Sequence, residues 1–215
     1  MPDTTPHRLG AVMTGANSDS ARVPFDFYPT PPEATHALLD FLEGKDLLSP
    51  KRPGMIWEPA CGDGAMVRVL EGRGYACLAS DIRETGFGDG HRDFLQEPRL
   101  APMCDAIITN PPFNLAEKFL THARALKPGL ICLLLKATYW HTQARSRWFH
   151  DNHVDPPKPV RPDWVLPIGW RLAFQPERGS APVMDCSWFV WTLNSRRETC
   201  GYHPLPPLTT QEALL

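Results

Sequence analysis

The sequence predicts an α/β fold: a doubly wound, mainly parallel sheet with helices on both faces and an antiparallel hairpin near the carboxyl end. Three observations carry this expectation. Short apolar runs alternate with amphipathic stretches between 55 and 136, as in successive strand–helix–strand crossovers. One run, LICLLLK at 130–136, is almost continuously apolar, as suits a strand buried on both faces. The chemically unusual motifs, EPACGDG (58–64), SDI (80–82) and ITNPPF (108–113), each fall at the end of an apolar run. In a doubly wound sheet those ends open onto the ligand crevice.

Bulk properties bound the rest. A chain of 215 residues with 42% hydrophobic content can bury a sizeable core in one domain. The expected division is a disordered tail over 1–22, a single domain over 23–195 and a carboxyl-terminal tail over 196–215, with no separate target-recognition domain. No apolar stretch approaches the ~20 residues of a membrane span, and the first residues lack the apolar core of a signal peptide. The six cysteines form no CxxC pair, so buried thiols in a reducing cytoplasm are expected rather than disulfides or zinc.

Taken in order, Thr30 is expected to cap a helix with Pro31 at its first position and Glu33 closing a capping box. Ala34, Ala37, Leu38, Phe41 and Leu42 then repeat at helical spacing. Met55–Glu58 reads as a strand, followed by a glycine-rich turn and a helix to about Glu71. YACLASDI is a second strand, RETGFGDGHRDFLQ mostly loop, and CDAIITN a third strand. NLAEKFLTHARALKPG is a helix closed by Pro-Gly, and LICLLLK is the fourth strand. A short helix is expected within ATYWHTQARSRWFHDNH. DWVLPIGWRLAF and VMDCSWFVWTL, joined by a polar loop, form the expected hairpin. The 24 prolines, roughly twice the average share, stiffen the loops.

EPACGDG puts small residues where a strand turns into a helix, and Gly62 and Gly64 can adopt positive φ and admit a ligand to the backbone. The motif is neither GxGxxG nor a P-loop, and its acids Glu58 and Asp63 would repel a pyrophosphate. They suit a ligand carrying positive charge. Asp81 follows at the next strand end, where an acid can bridge two ribose hydroxyls. A crevice for a ribose and a cation suits S-adenosylmethionine. A tight turn with capping acids is the alternative for the same residues.

ITNPPF can be a turn that ends a strand, since Asn-Pro commonly starts turns. It can also hold two acceptors rigidly: Oδ1 of Asn110 and the carbonyl of Pro111. An exocyclic base amine is a poor nucleophile because its lone pair is delocalised into the ring. Acceptors at both of its hydrogens would bend it out of plane and localise that pair. Consecutive prolines fix such acceptors before reaction.

At these motifs the chain resembles the class I, Rossmann-like S-adenosylmethionine-dependent methyltransferases over roughly 25–193, and more closely those that methylate the N6 amine of adenine in DNA. The resemblance implies cofactor contacts at Tyr28, Pro29 and Thr30 in FYPTP, and at Glu58, Ala60, Gly62 and Asp63 in EPACGDG. Asp81 matches the acid that binds the ribose. Asp93 matches the acid that holds the cofactor's adenine amine, with Phe94 against that ring. Asn110, Pro111, Pro112 and Phe113 match the catalytic signature, with Phe113 stacking on a base that has left the duplex. Only eleven residues separate Asp81 from Asp93, so the helix usual there must be shortened or missing.

Partners are the least determined part. Between Lys136 and Arg178 there are seven Lys/Arg against four Asp/Glu, in a chain of net charge −2. Arg145, Arg147, Lys158 and Arg161 in this stretch are the expected phosphate contacts. His141, His150 and His153 share no ligand spacing, so no metal is expected. Most of the tryptophans are expected to pack the sheet. A cytosine-C5 mechanism needs a cysteine after proline, and no Pro-Cys pair occurs. Loops 141–163 and 175–182, or a partner subunit, would have to supply target recognition. The expected function is N6-adenine methylation of DNA in a bacterial or phage-infected cytoplasm, the small size fitting a phage or prophage enzyme. The same chemistry on RNA bases or a protein glutamine, and an inactive cofactor-fold binding subunit, are the alternatives.

Overall fold

The computed structural model describes residues 29–52, 54–98, 104–143, 145–146, 161–174, 184–192, 195 and 199–207. Tyr28, Arg147, Trp148, Lys158, the expected amino-terminal tail and most of both candidate recognition loops lie outside them. The strands are β1 (Met55–Glu58), β2 (Ala76–Ala79), β3 (Ala106–Thr109), β4 (Leu130–Lys136), β5 (Trp164–Pro167), β6 (Cys186–Thr192) and β7 (Gly201–Tyr202). The helices are α1 (Pro32–Gly44), α2 (Ala65–Gly72) and α3 (Ala116–Leu126).

The seven strands form one sheet in the order β2-β1-β3-β4-β6-β5-β7. β1 to β4 run parallel, and β6 is antiparallel to both neighbours, β4 and β5. β4 shows how the sheet is covered. Leu130, Cys132 and Leu134 face a core shared with α1 and α2, while Ile131, Leu133 and Leu135 face a core shared with α3. The two-residue period of a strand therefore divides one apolar run between two layers of helices.

After β1 the chain places β2 on one side and β3 on the other. The crossover direction reverses there, so a crevice opens between the carboxyl ends of β1 and β3. Glu58 ends β1 and Asn110 follows β3. The fold thus brings two of the three sequence motifs to one edge, and the pairing Glu58↔Ala79 brings the third, two residues before Asp81.

Two local expectations need correction, the helix cap and the carboxyl-terminal tail. α1 is not capped by Thr30: Pro31 holds the cap position, Pro32 is the first helical residue, and no side chain caps the helix. Thr30 turns its hydroxyl to Asn110 instead. The expected hairpin strands pair antiparallel, with β6 between β4 and β5. The stretch read as a carboxyl-terminal tail supplies β7 along the outer edge of β5, and Leu205 beyond it is buried. Two paired residues are too few to show a sequence period. Gly201 is required there because a Cβ would lie 2.2 Å from the Trp164 ring.

Among the described residues between β2 and β3 there is a 3-10 turn (Phe94–Gln96) and no α-helix. The loop instead folds back on β2 through a bridge between Ser80 and Asp89. Gly88, at φ +67°, lets the backbone pass where a Cβ would meet the Ala79 carbonyl at 2.6 Å.

Candidate active site

The first half of the site lies at the ends of β1 and β2. Glu58 is 1% exposed, and its Oε1 accepts from the Thr109 hydroxyl at 2.5 Å and from the Ala60 N–H at 3.0 Å. Burial pushes its pKa up to about 8; the bonds from Thr109 and Ala60 oppose this, and the Asp81 charge adds to it. At neutral pH Glu58 is therefore mostly a carboxylic acid, poised to ionise when a cation arrives.

The turn that follows is built on left-handed glycines. Gly62 has φ +57° and Gly64 φ +85°. The Gly62 N–H donates to Asp81 Oδ2 at 2.9 Å, tying the glycine turn to the end of β2. The Phe87 ring covers Gly64 so closely that a Cβ there would lie 2.4 Å away. Asp63 is exposed, and its carboxylate accepts from the Ala65 N–H at the start of α2.

Asp81 is 3% exposed and heavily bonded. Arg83 donates to it from Nε at 2.9 Å, from Nη2 at 3.0 Å and from its backbone N–H at 2.9 Å. Burial pulls the Asp81 pKa up, but the Arg83 and Gly62 bonds outweigh it and hold the carboxyl below its ordinary value. Ile82 beside it is 52% exposed, an apolar surface on the crevice rim that sequence reasoning did not single out. Its signal was available: a β-branched residue directly after the strand-end acid.

The second half is the turn after β3. Asn110 donates from Nδ2 to Thr30 Oγ1 at 3.1 Å, and Thr30 is itself buried. The Nδ2 end of the Asn110 amide thus faces Thr30, with Oδ1 on the opposite side of the amide. Pro111 is buried, Pro112 has φ −51°, and Phe113 opens a short 3-10 turn that leads into α3. Thr109, directly before Asn110, carries the hydroxyl that bonds Glu58. Thr30, Asn110, Thr109, Glu58, Ala60, Gly62 and Asp81 thus form one connected edge.

Other expected residues are placed elsewhere. Phe94 is 2% exposed, with its ring packed against Trp57, Phe119 and His122. It is part of the core, held inside by its three aromatic partners. Asp93 is half-buried and accepts from the Leu95 N–H, capping the 3-10 turn. Arg145 folds back, with its guanidinium 4.3 Å from the centre of the Tyr139 ring and donating to the Tyr139 carbonyl. Arg161 is half-buried. Lys136, counted in the basic stretch but not singled out, sits over the Phe113 ring. Among the described residues no group of His, Cys, Asp and Glu could hold a metal ion.

The donor set at Glu58 fits a cationic group. Among the described residues Glu58 has neutral partners, the Thr109 hydroxyl and the Ala60 N–H, and feels the negative charge of Asp81. A positive group at this edge would relieve that repulsion and let Glu58 ionise.

The sheet order, the switch point at β1 and the antiparallel β6 define the Rossmann-like fold of class I methyltransferases. A protein from Listeria monocytogenes, described as a class I S-adenosylmethionine-dependent methyltransferase, superposes with TM-score 0.56 at 14% identity, over 96% of this chain and 74% of that one. A Pyrococcus horikoshii protein described as an RNA methyltransferase does so with TM-score 0.60 at 12% identity, over 86% and 96%. The methyltransferase subunit of a Streptococcus thermophilus type I restriction-modification system gives 0.54 at 12%, over 91% of this chain and 52% of its own, so this chain spans about half of that subunit. The sequence matches no family model, and no curated protein matches it.

Proposed function

We propose that the chain is an S-adenosylmethionine-dependent methyltransferase that acts on the exocyclic N6 amine of adenine in DNA. The observation that carries this reading is the bond from the Asn110 amide to Thr30, which orients Asn110 beside the acidic crevice. Glu58, Ala60, Gly62, Asp81 and Ile82 would hold the cofactor, with Pro29 and Thr30 closing it from the α1 side. The restriction-modification neighbour supports a DNA acceptor, and the Pyrococcus neighbour keeps RNA as the comparison arm.

When bound, S-adenosylmethionine supplies an electrophilic methyl group on a sulfonium. This chain's residues prepare the amine. Asn110 Oδ1 accepts one of its hydrogens and the Pro111 carbonyl accepts the other, localising the lone pair on nitrogen. That lone pair would take the methyl group from the cofactor held by Glu58, Ala60, Gly62 and Asp81, the carbon–sulfur electrons staying on sulfur. The methylated nitrogen then releases a proton to solvent, so no strong base is needed. Phe113 provides the face on which the extruded base stacks.

The test offers methyl-labelled S-adenosylmethionine with duplex DNA, total RNA and protein extract in separate reactions, then digests each and identifies the product. Label in N6-methyladenine from DNA supports the proposal. Label confined to RNA or to glutamine overturns the acceptor, and cofactor binding with no transfer to any of the three overturns the activity in favour of a binding subunit. Asn110→Ala is expected to abolish transfer while leaving cofactor affinity within a few-fold; surviving transfer would refute its role.

A further inference from the structure

We infer that Lys136 grips the phosphate next to the extruded nucleotide, which makes the acceptor a base within a phosphodiester chain. The inference rests on the methyltransferase reading above and extends it from the reacting amine to the group that carries it.

Lys136 is the last residue of β4 and the only exposed one; the six before it are buried. β4 runs beside β3 with Thr109 opposite Leu133, so Lys136, three residues further on, rises over the edge where Asn110 to Phe113 turn away. Its Nζ lies 5.4 Å from the centre of the Phe113 ring. The strand end is pinned by the Ala137 N–H bonding to the Asp185 carbonyl. Asp185, whose carbonyl takes the Ala137 N–H, has its carboxylate paired with Arg171 at 3.2 Å. Lys136 makes no ion pair among the described residues.

An exposed ammonium on an aromatic face is weakly held. A base stacking on the same face is held more strongly and would displace it. The ammonium would then stand at the rim of the stacked base, where the sugar–phosphate of an extruded nucleotide must pass. A compact point charge with three donors on a flexible stem suits a phosphate reached from several angles. A glutamine side chain would give neither the stack nor the anion. The cation over Phe113 thus points to a nucleic acid rather than a protein acceptor.

The experiment compares the wild-type chain with Lys136→Met and Lys136→Arg. It reads binding of a fluorescein-labelled mixed-sequence duplex by anisotropy across a salt series, together with KM and kcat for methyl transfer and cofactor Kd. Loss of one phosphate contact should make the slope of log affinity against log salt shallower by about 0.9. Lys136→Met is expected to show this, with KM for DNA raised about tenfold, kcat within two-fold and cofactor Kd unchanged. Lys136→Arg should restore the slope. If the wild type methylates DNA but Lys136→Met matches it in slope and KM, the inference falls while the functional reading stands. A fall in kcat with slope and KM unchanged also overturns it, because that is a structural effect. If the wild type transfers no methyl group to DNA or RNA, both fall.

Discussion

Glu58 should make cofactor binding depend on pH in a way that no exposed carboxylate would. Its pKa is pushed up to about 8 because the side chain is buried among neutral partners. A cationic ligand binds best to the ionised form, so at pH 7 only about one-tenth of the protein is ready, a tenfold loss of apparent affinity or about 1.4 kcal/mol. Between pH 6 and 7.5, below the range in which the ligand's own α-amino group titrates, log affinity should rise by about one per pH unit. Titration calorimetry in buffers of different ionisation heat should show release of nearly one proton per ligand at pH 7. Glu58→Gln keeps the shape and removes the titration, so its affinity should be flat over the same range. The same carboxyl links stability to pH. Its folded pKa lies above the ordinary value of 4.5, so its contribution is complete below that value and is lost as pH rises towards about 8. Urea unfolding at pH 5 and pH 7 should show Glu58→Gln gaining on wild type by roughly 2–3 kcal/mol over that interval. A flat wild-type affinity profile, or a Glu58→Gln variant that keeps the slope, would refute the reasoning.

Thr30→Val removes the hydroxyl that orients Asn110; kcat should fall about tenfold, more than the ~1 kcal/mol of one neutral hydrogen bond alone, with DNA binding retained, as single-turnover kinetics would show. Gly64→Ala combines a strained φ of +85° with a 2.4 Å approach to Phe87, and calorimetry should show a loss of about 2–3 kcal/mol; adding Phe87→Ala should recover the steric part only. Trp188→Phe deletes the bond from the Trp188 Nε1–H to the Ala34 carbonyl under α1, so Tm and kcat should fall together while Glu58-linked proton release is unchanged.

The sequence showed the strands best where both periods agreed. LICLLLK at 130–136 could only be a buried strand, and the glycine turn after Glu58 declared itself by composition. That the motifs share the carboxyl edge of the sheet followed from their positions, because Glu58, Asp81 and Asn110 all ended apolar runs; the strand order that puts the switch point between β1 and β3 came only from the structure. Long-range pairing was what remained hidden. Thr30 has the local signature of a helix cap, and nothing within the segment shows that Asn110, eighty residues on, offers a better partner. Phe94 followed a family pattern, but its surroundings come from α3 and β1, which a linear reading cannot place. β7 was invisible because two residues carry no period, and Lys136 because its meaning depends on the ring of Phe113 across the edge.

The prolines acquire a common explanation in the folded chain. Pro111 and Pro112 stiffen the backbone after Asn110, as the sequence implied. Pro29, Pro31 and Pro32 flank Thr30 and stiffen the other side, with Pro31 held at φ −56°. Asn110 therefore hangs between two rigid segments, with a hydrogen bond to Thr30 between them. The Thr30 segment is anchored by α1, whose first turn is tied to β6 through Trp188 Nε1 and the Ala34 carbonyl at 2.9 Å. On the other side, Thr109 ties the same turn to Glu58, so the acceptor end and the cofactor end share a strand terminus. A single hydrogen bond contributes only about 1 kcal/mol net and could not hold a mobile loop in one geometry. It can hold an amide whose backbone is already fixed on both sides, because little conformational entropy is left to oppose it. That is the arrangement an acceptor needs when it must bend an amine before the methyl group moves.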